Sequence, residues 1–144
     1  MIFNLSKKVY LSYRPVSVDS FFKRARGMIG HDFSAANFDA MIFPRCNTIH
    51  TLFMLKKLDI IFVDTNNRIV GIRKKLPPWV PFVRCGKAET TIELPPGTIE
   101  ATRTGLGDIL NLRSEVVPEL AKQLREKKII TSVESMVSFK ESKK

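Results

Sequence analysis

Short apolar runs separated by proline, asparagine and glycine occupy the middle of this chain. Each run is four to six residues long, and four of them are Ala40–Phe43, Ile49–Met54, Asp59–Val63 and Arg68–Ile72. They are rich in β-branched and aromatic residues, which strands favour, and they are too short for typical helices. The pattern therefore predicts a mainly β fold, with antiparallel strands dominating residues 39–112.

A hairpin is predicted where two of these runs meet at Thr65-Asn66-Asn67. Asparagine tolerates the positive φ angles of a two-residue hairpin turn, so Asn66 and Asn67 are expected at the tip. That turn predicts three facing pairs, which are Asp64 with Ile69, Phe62 with Gly71, and Asp59 with Lys74.

Further elements follow from the same reasoning at both ends of the chain. An N-terminal strand or hairpin carries Phe3, Leu5, Val9 and Leu11, and Thr90–Leu94 is a later strand. Apolar periodicity predicts a short helix after Ser17 or Asp19 and a C-terminal helix over Glu115–Ile129, capped by Ser114. Residues 131–144 are a weak strand or a disordered tail.

Together these elements predict a small single-domain β-barrel or sandwich of about seven strands, with one short N-terminal helix and a C-terminal helix. The β domain is expected over residues 1–112, followed by the helix and a basic tail over 113–144. We expect a core that includes Phe43, Leu52, Ile61, Phe62, Ile92 and Leu94.

Composition narrows the class of protein. The 144 residues are 44% hydrophobic with a net charge of +10, and the excess positive charge lies in residues 1–30 and 113–144. Basic ends can attract polyanions, so nucleic-acid binding is one interpretation, although a solvated surface is the simpler one. The lack of a secretory apolar core and of a long apolar run predicts a cytoplasmic protein that does not enter a membrane.

The central motifs resemble those of the family named domain of unknown function 192. The resemblance covers about residues 20–112 and rests on Arg26-Gly27-Met28-Ile29-Gly30, Met41 to Met54, Leu58 to Asp64, Pro78-Trp79, Glu93 to Gly97, and Gly107-Asp108. It implies a small, mostly β, barrel-like or sandwich domain and supplies no activity. Lys56-Lys57 depart from the family pattern, and the helix after residue 113 lies outside the shared part.

Polar residues inside apolar sequence are the candidate ligand-binding residues. His50 lies in a predicted strand, Asp59 opens the next one, and Trp79 sits in a proline-rich lip, with Arg84 as a possible contact for an anion. A barrel interior or mouth is the usual place for such a site. The structural alternative is that His50 bonds a carbonyl, Asp59 satisfies strand-end amides and Trp79 plugs the barrel.

Two chemical alternatives use the same region. Cys46, His50 and Met54 are soft ligands spaced by four residues, and such a set suits Cu(I), but along a strand they would span about 26 Å. Asp59 or Asp64 could instead orient His50 beside a Cys46 or Cys85 nucleophile. Reduced thiols are the simpler expectation for the two cysteines, although a single bridge stays open.

The sequence contains no nucleophile elbow, phosphate loop or zinc-protease helix. No cofactor is therefore expected. The prediction is a non-enzymatic domain that binds a small ligand or serves as an accessory module. Nucleic-acid association is the second interpretation, and a thiol- or metal-dependent enzyme is the third.

Overall fold

The computed structural model describes residues 1–18, Phe33 and residues 38–112, and these residues are mainly β. They contain ten strands and one short helix, which in chain order are β1 (Ile2–Asn4), β2 (Val9–Ser12), β3 (Pro15–Ser17), β4 (Ala40–Pro44), β5 (Thr48–Ile49), β6 (Leu58–Val63), β7 (Ile69–Leu76), β8 (Val83–Arg84), β9 (Thr90–Leu94), α1 (Thr98–Ala101) and β10 (Leu110–Asn111).

Three sheets are formed by these strands. The largest has the order β3-β4-β9-β6-β7, a second has the order β10-β1-β2, and β5 and β8 make a two-stranded ribbon. Every pair formed between strands from β4 onward is antiparallel, which confirms the prediction for residues 39–112. The pairing of β3 with β4 is parallel.

The predicted barrel is not formed by the described residues. The five-stranded sheet has two separate edges, β3 and β7, which do not pair with each other. Alternating hydrophobicity shows which side of a strand is buried, but closure also needs a matching tilt and stagger of every strand. The predicted N-terminal helix, C-terminal helix and tail lie outside the described residues. The helix that is described, α1, was not predicted and follows Gly97, which has a φ of 90°.

Both faces of the five-stranded sheet are covered, so β6 is buried at all of its positions. One face, here called the loop face, carries Met41, Phe43, Ile60 and Phe62. The opposite face packs Ile61, Val63, Ile92 and Leu94 against the three-stranded sheet through Ile2, Leu11 and Leu110. Five of the six predicted core residues are buried, while Leu52 is only half-buried because it lies in a loop.

The β6–β7 hairpin differs in detail from its prediction. Its tip is the three-residue loop Thr65-Asn66-Asn67, with Asn67 at a φ of 58°, and Asp64 faces Arg68 rather than Ile69. A bulge at Val70 restores the register, so Phe62 does face Gly71 as predicted. A second bulge follows, and it brings the amide of Lys75, not the side chain of Lys74, to Asp59.

The strand predicted over Ile49–Met54 ends after Ile49. The chain leaves the extended conformation at Phe53, whose φ is 62°, and no part of this segment is helical. Apolar content alone did not reveal the turn, because the residues that stabilise it come from a distant loop. Contacts divide the chain after Leu112, and no helix in the described residues is long and apolar enough to cross a bilayer.

Candidate functional site

Two loops leave the same end of the five-stranded sheet and lie side by side. Residues 50–57 lead into β6 and residues 77–82 follow β7, and the strand residues at their roots, Leu58 and Leu76, are direct partners. Met54 from the first loop and Val80 from the second pack into the apolar cluster of the loop face. We call residues 50–57 and 77–82 the loop pair.

Thr51 joins the two loops and is fully buried. Its amide donates to the carbonyl of Val80 at 2.9 Å, and its own carbonyl accepts the amide of Trp79 at 2.8 Å. Its hydroxyl donates to the carbonyl of Pro77 at 2.7 Å and accepts the amide of Val80 at 2.9 Å. One threonine therefore sets the position of one loop against the other.

An exposed aromatic pair stands above this joint. The rings of Phe53 and Trp79 meet edge to face with centroids 5.0 Å apart, and each residue is 60% exposed. Both have positive φ angles, 62° for Phe53 and 67° for Trp79, which bulky residues rarely adopt. Leu55 and Phe82 on the same loops are also exposed.

Arg84 lies on the β5–β8 ribbon beside the loop pair, and His50 follows β5 as the first residue of the first loop. The ribbon pairs Thr48 with Arg84 and Ile49 with Val83. Side chains alternate along a strand, so Arg84 belongs to the side away from buried Ile49. The Nδ1 atom of His50 accepts the amide of Leu52 at 3.2 Å.

Asp59 is separated from the other three candidates by the sheet. It pairs with Leu94 on the opposite face and is fully buried. Its carboxylate accepts the amide of Lys75 and the amide of Ile99, each at 2.8 Å. These bonds hold the bulge of β7 and the start of α1, so the geometry matches the structural role considered for this residue. His50, Trp79 and Arg84 are brought to one region, and Asp59 is not.

The residues of the metal and thiol alternatives have separate surroundings. The Cys46 thiol donates to the carbonyl of Thr48 at 3.1 Å, and Met54 is buried in the loop-face cluster. Cys85 contacts the carbonyl of Val70 at 3.8 Å, and both thiols are free. Within residues 1–18, 33 and 38–112 no three His, Cys, Asp or Glu side chains are grouped to hold a metal ion.

Glu93 is the polar group that the fold leaves unexplained. It lies on β9 between Met41 and Ile60, its direct partners on the flanking strands, and is only 3% exposed. Its Oε2 atom has no hydrogen-bond partner among the residues that the structure describes. Burial without a compensating charge among the described residues raises the pKa of Glu93 to about 8. The carboxyl group is therefore mainly protonated at neutral pH.

This burial predicts a pH dependence of stability. Folded Glu93 holds its proton up to about pH 8, whereas the unfolded chain releases it near pH 4.5. The folded state thus binds more protons in this window, and stability falls as pH rises through it. Between pH 6 and 8 we expect wild type to lose about 2 kcal/mol more than Glu93→Gln, measured by urea denaturation. Parallel pH profiles for the two proteins would contradict this.

The sequence reasoning did not select Glu93, Thr51 or Phe53. Glu93 alternates with Ile92 and Leu94, so it has the position of a solvent-facing residue in a one-sided sheet. One feature of the sequence could have indicated that Glu93 is buried. The neighbouring run Leu58–Val63 has apolar residues on both of its sides. A strand buried on both faces implies that its neighbours are buried on both faces as well.

Comparison with known proteins adds a family but no activity. The family model DUF192, described as "Uncharacterized ACR", matches residues 9–112. A UPF0127 protein of Thermococcus sibiricus is 33% identical over 122 residues, covering 80% of this chain and 76% of the relative.

Two solved structures share the fold. A protein of unknown function from Novosphingobium aromaticivorans aligns with a TM-score of 0.57 at 22% identity, covering 67% of this chain and 73% of that one. A candidate transcription regulator from Sinorhizobium meliloti aligns with a TM-score of 0.60 at 18% identity, covering 67% and 79%. At these identities the likeness concerns the fold alone. The matched residues 9–112 show that the chain belongs to the domain of unknown function 192 family.

Proposed function

We propose that this protein is a non-enzymatic binding domain and that a small ligand lies against the loop pair. The observation that carries the proposal is the exposed Phe53–Trp79 pair, held by Thr51 on two backbone positions with positive φ. The supporting architecture is a sandwich-like arrangement in which the loop pair leaves one end of the five-stranded sheet, on the side of its loop face.

The backbone strain and the exposure of the Phe53–Trp79 pair favour a role in binding over a role in folding stability. A bulky residue with positive φ costs on the order of 1–3 kcal/mol, and two occur here within one contact. Leaving two aromatic rings exposed also gives up the favourable free energy of burying their apolar surface. An arrangement that is unfavourable for folding yet tightly held by hydrogen bonds is typical of binding sites.

The other candidate residues contribute to this proposal in different ways. His50 lies at the root of the first loop, and its ring accepts the amide of Leu52 within that loop. Arg84 lies on the outer side of the ribbon, where it adds positive charge at the periphery. Asp59 acts at a distance by holding β7 and α1. No reaction is assigned to these groups.

Trp79 is the only tryptophan in the chain, so its fluorescence reports directly on the loop pair. We expect at least one member of a panel of small aromatic amines, alcohols and acids to shift its emission with a Kd near 1 mM, as expected for fragments of this size. Phe53→Ala should abolish the response. Leu106→Ala, which truncates an exposed apolar residue elsewhere, should preserve it.

Two results would count against the proposal. One is a panel in which no compound changes Trp79 emission at millimolar concentration. The other is a response that Phe53→Ala leaves unchanged, because the ligand would then lie elsewhere.

A second function is favoured by a different surface. The rings of Tyr10 and Tyr13 are tilted by 31° with centroids 5.0 Å apart, and Tyr13 is 44% exposed. Lys8 and Arg14 flank them in the sequence. Aromatic rings among cations are the usual platform for single-stranded nucleic acid. An electrophoretic shift that weakens steeply with salt and is lost in Tyr13→Ala would favour this function over small-ligand binding.

A further inference from the structure

Glu93 lies at the end of the sheet from which the loop pair starts. Its partner Ile60 is two residues into β6, and that strand begins at Leu58, the root of the first loop. Its other partner, Met41, lies near the start of β4. Direct partners in a sheet point to the same side, so Glu93 belongs to the loop face. The carboxyl group and the aromatic pair are therefore on the same side and at the same end of the sheet.

The surroundings of this carboxyl group are apolar. Met41 and Ile60 flank it, and the same cluster contains Phe43 and Met54, the second of which comes from the loop pair. Such walls suit the apolar body of a small molecule, and methionine side chains adapt to its shape. They provide no hydrogen-bond partner for the carboxyl group.

No cation among the described residues neutralises Glu93. On the loop face of β7, Arg73 is the partner of Ile60, so it lies two strands, about 10 Å, from Glu93. Arg73 is exposed, and its Nη1 atom donates to the carbonyl of Ile72. The thiols of Cys46 and Cys85 also border the cluster, but they carry no positive charge. Among the described residues, therefore, a positive charge next to Glu93 is missing, and a ligand can supply one.

We propose that the ligand of the loop pair is a primary amine with an apolar body, and that its ammonium group forms an ion pair with Glu93. This inference rests on the proposed function of the loop pair. Burying a carboxylate is costly unless it is paired, and an ammonium group supplies both the charge and the hydrogen-bond donors that Oε2 lacks. The exposed Phe53–Trp79 rings of the loop pair are also compatible with a cation, since aromatic faces attract one.

Binding is accompanied by the release of one proton. In the unliganded protein near pH 7 the carboxyl group is protonated, because burial raises its pKa. When an ammonium ion binds, the O–H bond of Glu93 breaks, the proton passes to a buffer base, and the carboxylate pairs with the intact ammonium group. A neutral ligand of the same shape would release no proton.

Phenethylamine and phenethyl alcohol make a matched pair of probes, because they share an apolar body and differ in the terminal group. Titrations at about 0.15 M salt, where the Debye length is about 8 Å, limit the repulsion from the net charge of the chain. Trp79 emission gives the affinity. Calorimetry at pH 7 in phosphate and in MOPS, neither of which is a primary amine, gives the number of protons released, because these buffers differ in ionisation enthalpy.

We expect wild type to bind the amine at least tenfold more tightly than the alcohol and to release close to one proton per amine. Glu93→Gln keeps the shape of the side chain and removes its charge, and it should lower the amine affinity to that of the alcohol. Leu106→Ala is the control for surface truncation and should match wild type. Thermal unfolding checks that each variant is folded, and the proton count in wild type does not depend on any variant.

Three outcomes would overturn the inference. If the alcohol binds as tightly as the amine, or if no proton is released, Glu93 does not pair with the ligand, although the loop pair still binds. If Glu93→Gln is folded and binds the amine with the affinity of wild type, Glu93 again does not pair with the ligand. If neither probe nor any other member of the panel changes Trp79 emission, the proposed function fails and the inference fails with it.

Discussion

Replacing Phe62 with alanine is expected to lower the free energy of unfolding by roughly 3–5 kcal/mol. Phe62 is fully buried on the loop face, where its ring lies over Gly71. A methyl group added at Gly71 would approach Phe62 within 3.1 Å and the Cys85 sulfur within 3.0 Å, so the packing at this point is tight. Truncation would leave a cavity that the central strands cannot close without moving.

Urea denaturation measures this loss, and Phe82→Ala is the matched control. It makes the same chemical change at a position that is 68% exposed, where a change within about 0.5 kcal/mol is expected. A loss below about 1 kcal/mol for Phe62→Ala would show that this residue is not central to the core.

Replacing Asp59 with alanine should cost about 3 kcal/mol or more. The change leaves the amides of Lys75 and Ile99 without the carboxylate that accepts them. A hydrogen bond to a charged group contributes about 1.5–3 kcal/mol, and a buried donor left unsatisfied carries its full desolvation cost. Both amides would lose their partner together, so the bulge of β7 and the start of α1 should loosen.

Asp64→Ala is the matched control for this prediction. Asp64 also accepts two backbone amides, those of Asn66 and Arg68, but at a hairpin tip open to solvent. Water can replace the carboxylate there, so the cost should be about 1 kcal/mol or less. Equal losses for the two variants in chemical denaturation would argue against burial as the reason for the importance of Asp59.

Local chemistry accounts for the parts of the fold that were predicted correctly. The strand Thr90–Leu94, the hairpin tip at Asn66-Asn67 and the facing of Phe62 with Gly71 all depend on residues close together in the chain. Alternation selects the extended conformation, and asparagine accepts the positive φ of the tip. The resemblance in the central motifs likewise led to the family that the comparison established.

The four candidate residues do not share one place in the described structure. His50, Trp79 and Arg84 do lie in one region of the described structure, whereas Asp59 lies across the sheet with its oxygens bonded to amides. In the sequence, Asp59 looks like the others, because a polar residue at the start of an apolar strand can face either side. Its side was decided by a bulge on β7 and by a helix forty residues further along the chain.

The sequence was sufficient for the mainly β class, the antiparallel pairing after residue 39 and most of the core, since these follow from alternation and turn residues within short segments. The open sheet, the turn at Phe53 and the burial of Glu93 required the tertiary structure. Each depends on contact between distant segments, such as Thr51 with Pro77 or Glu93 with Met41. Alternation along one strand carries no information about which distant segment will cover it, and that covering segment decides whether a polar side chain meets water or an apolar core.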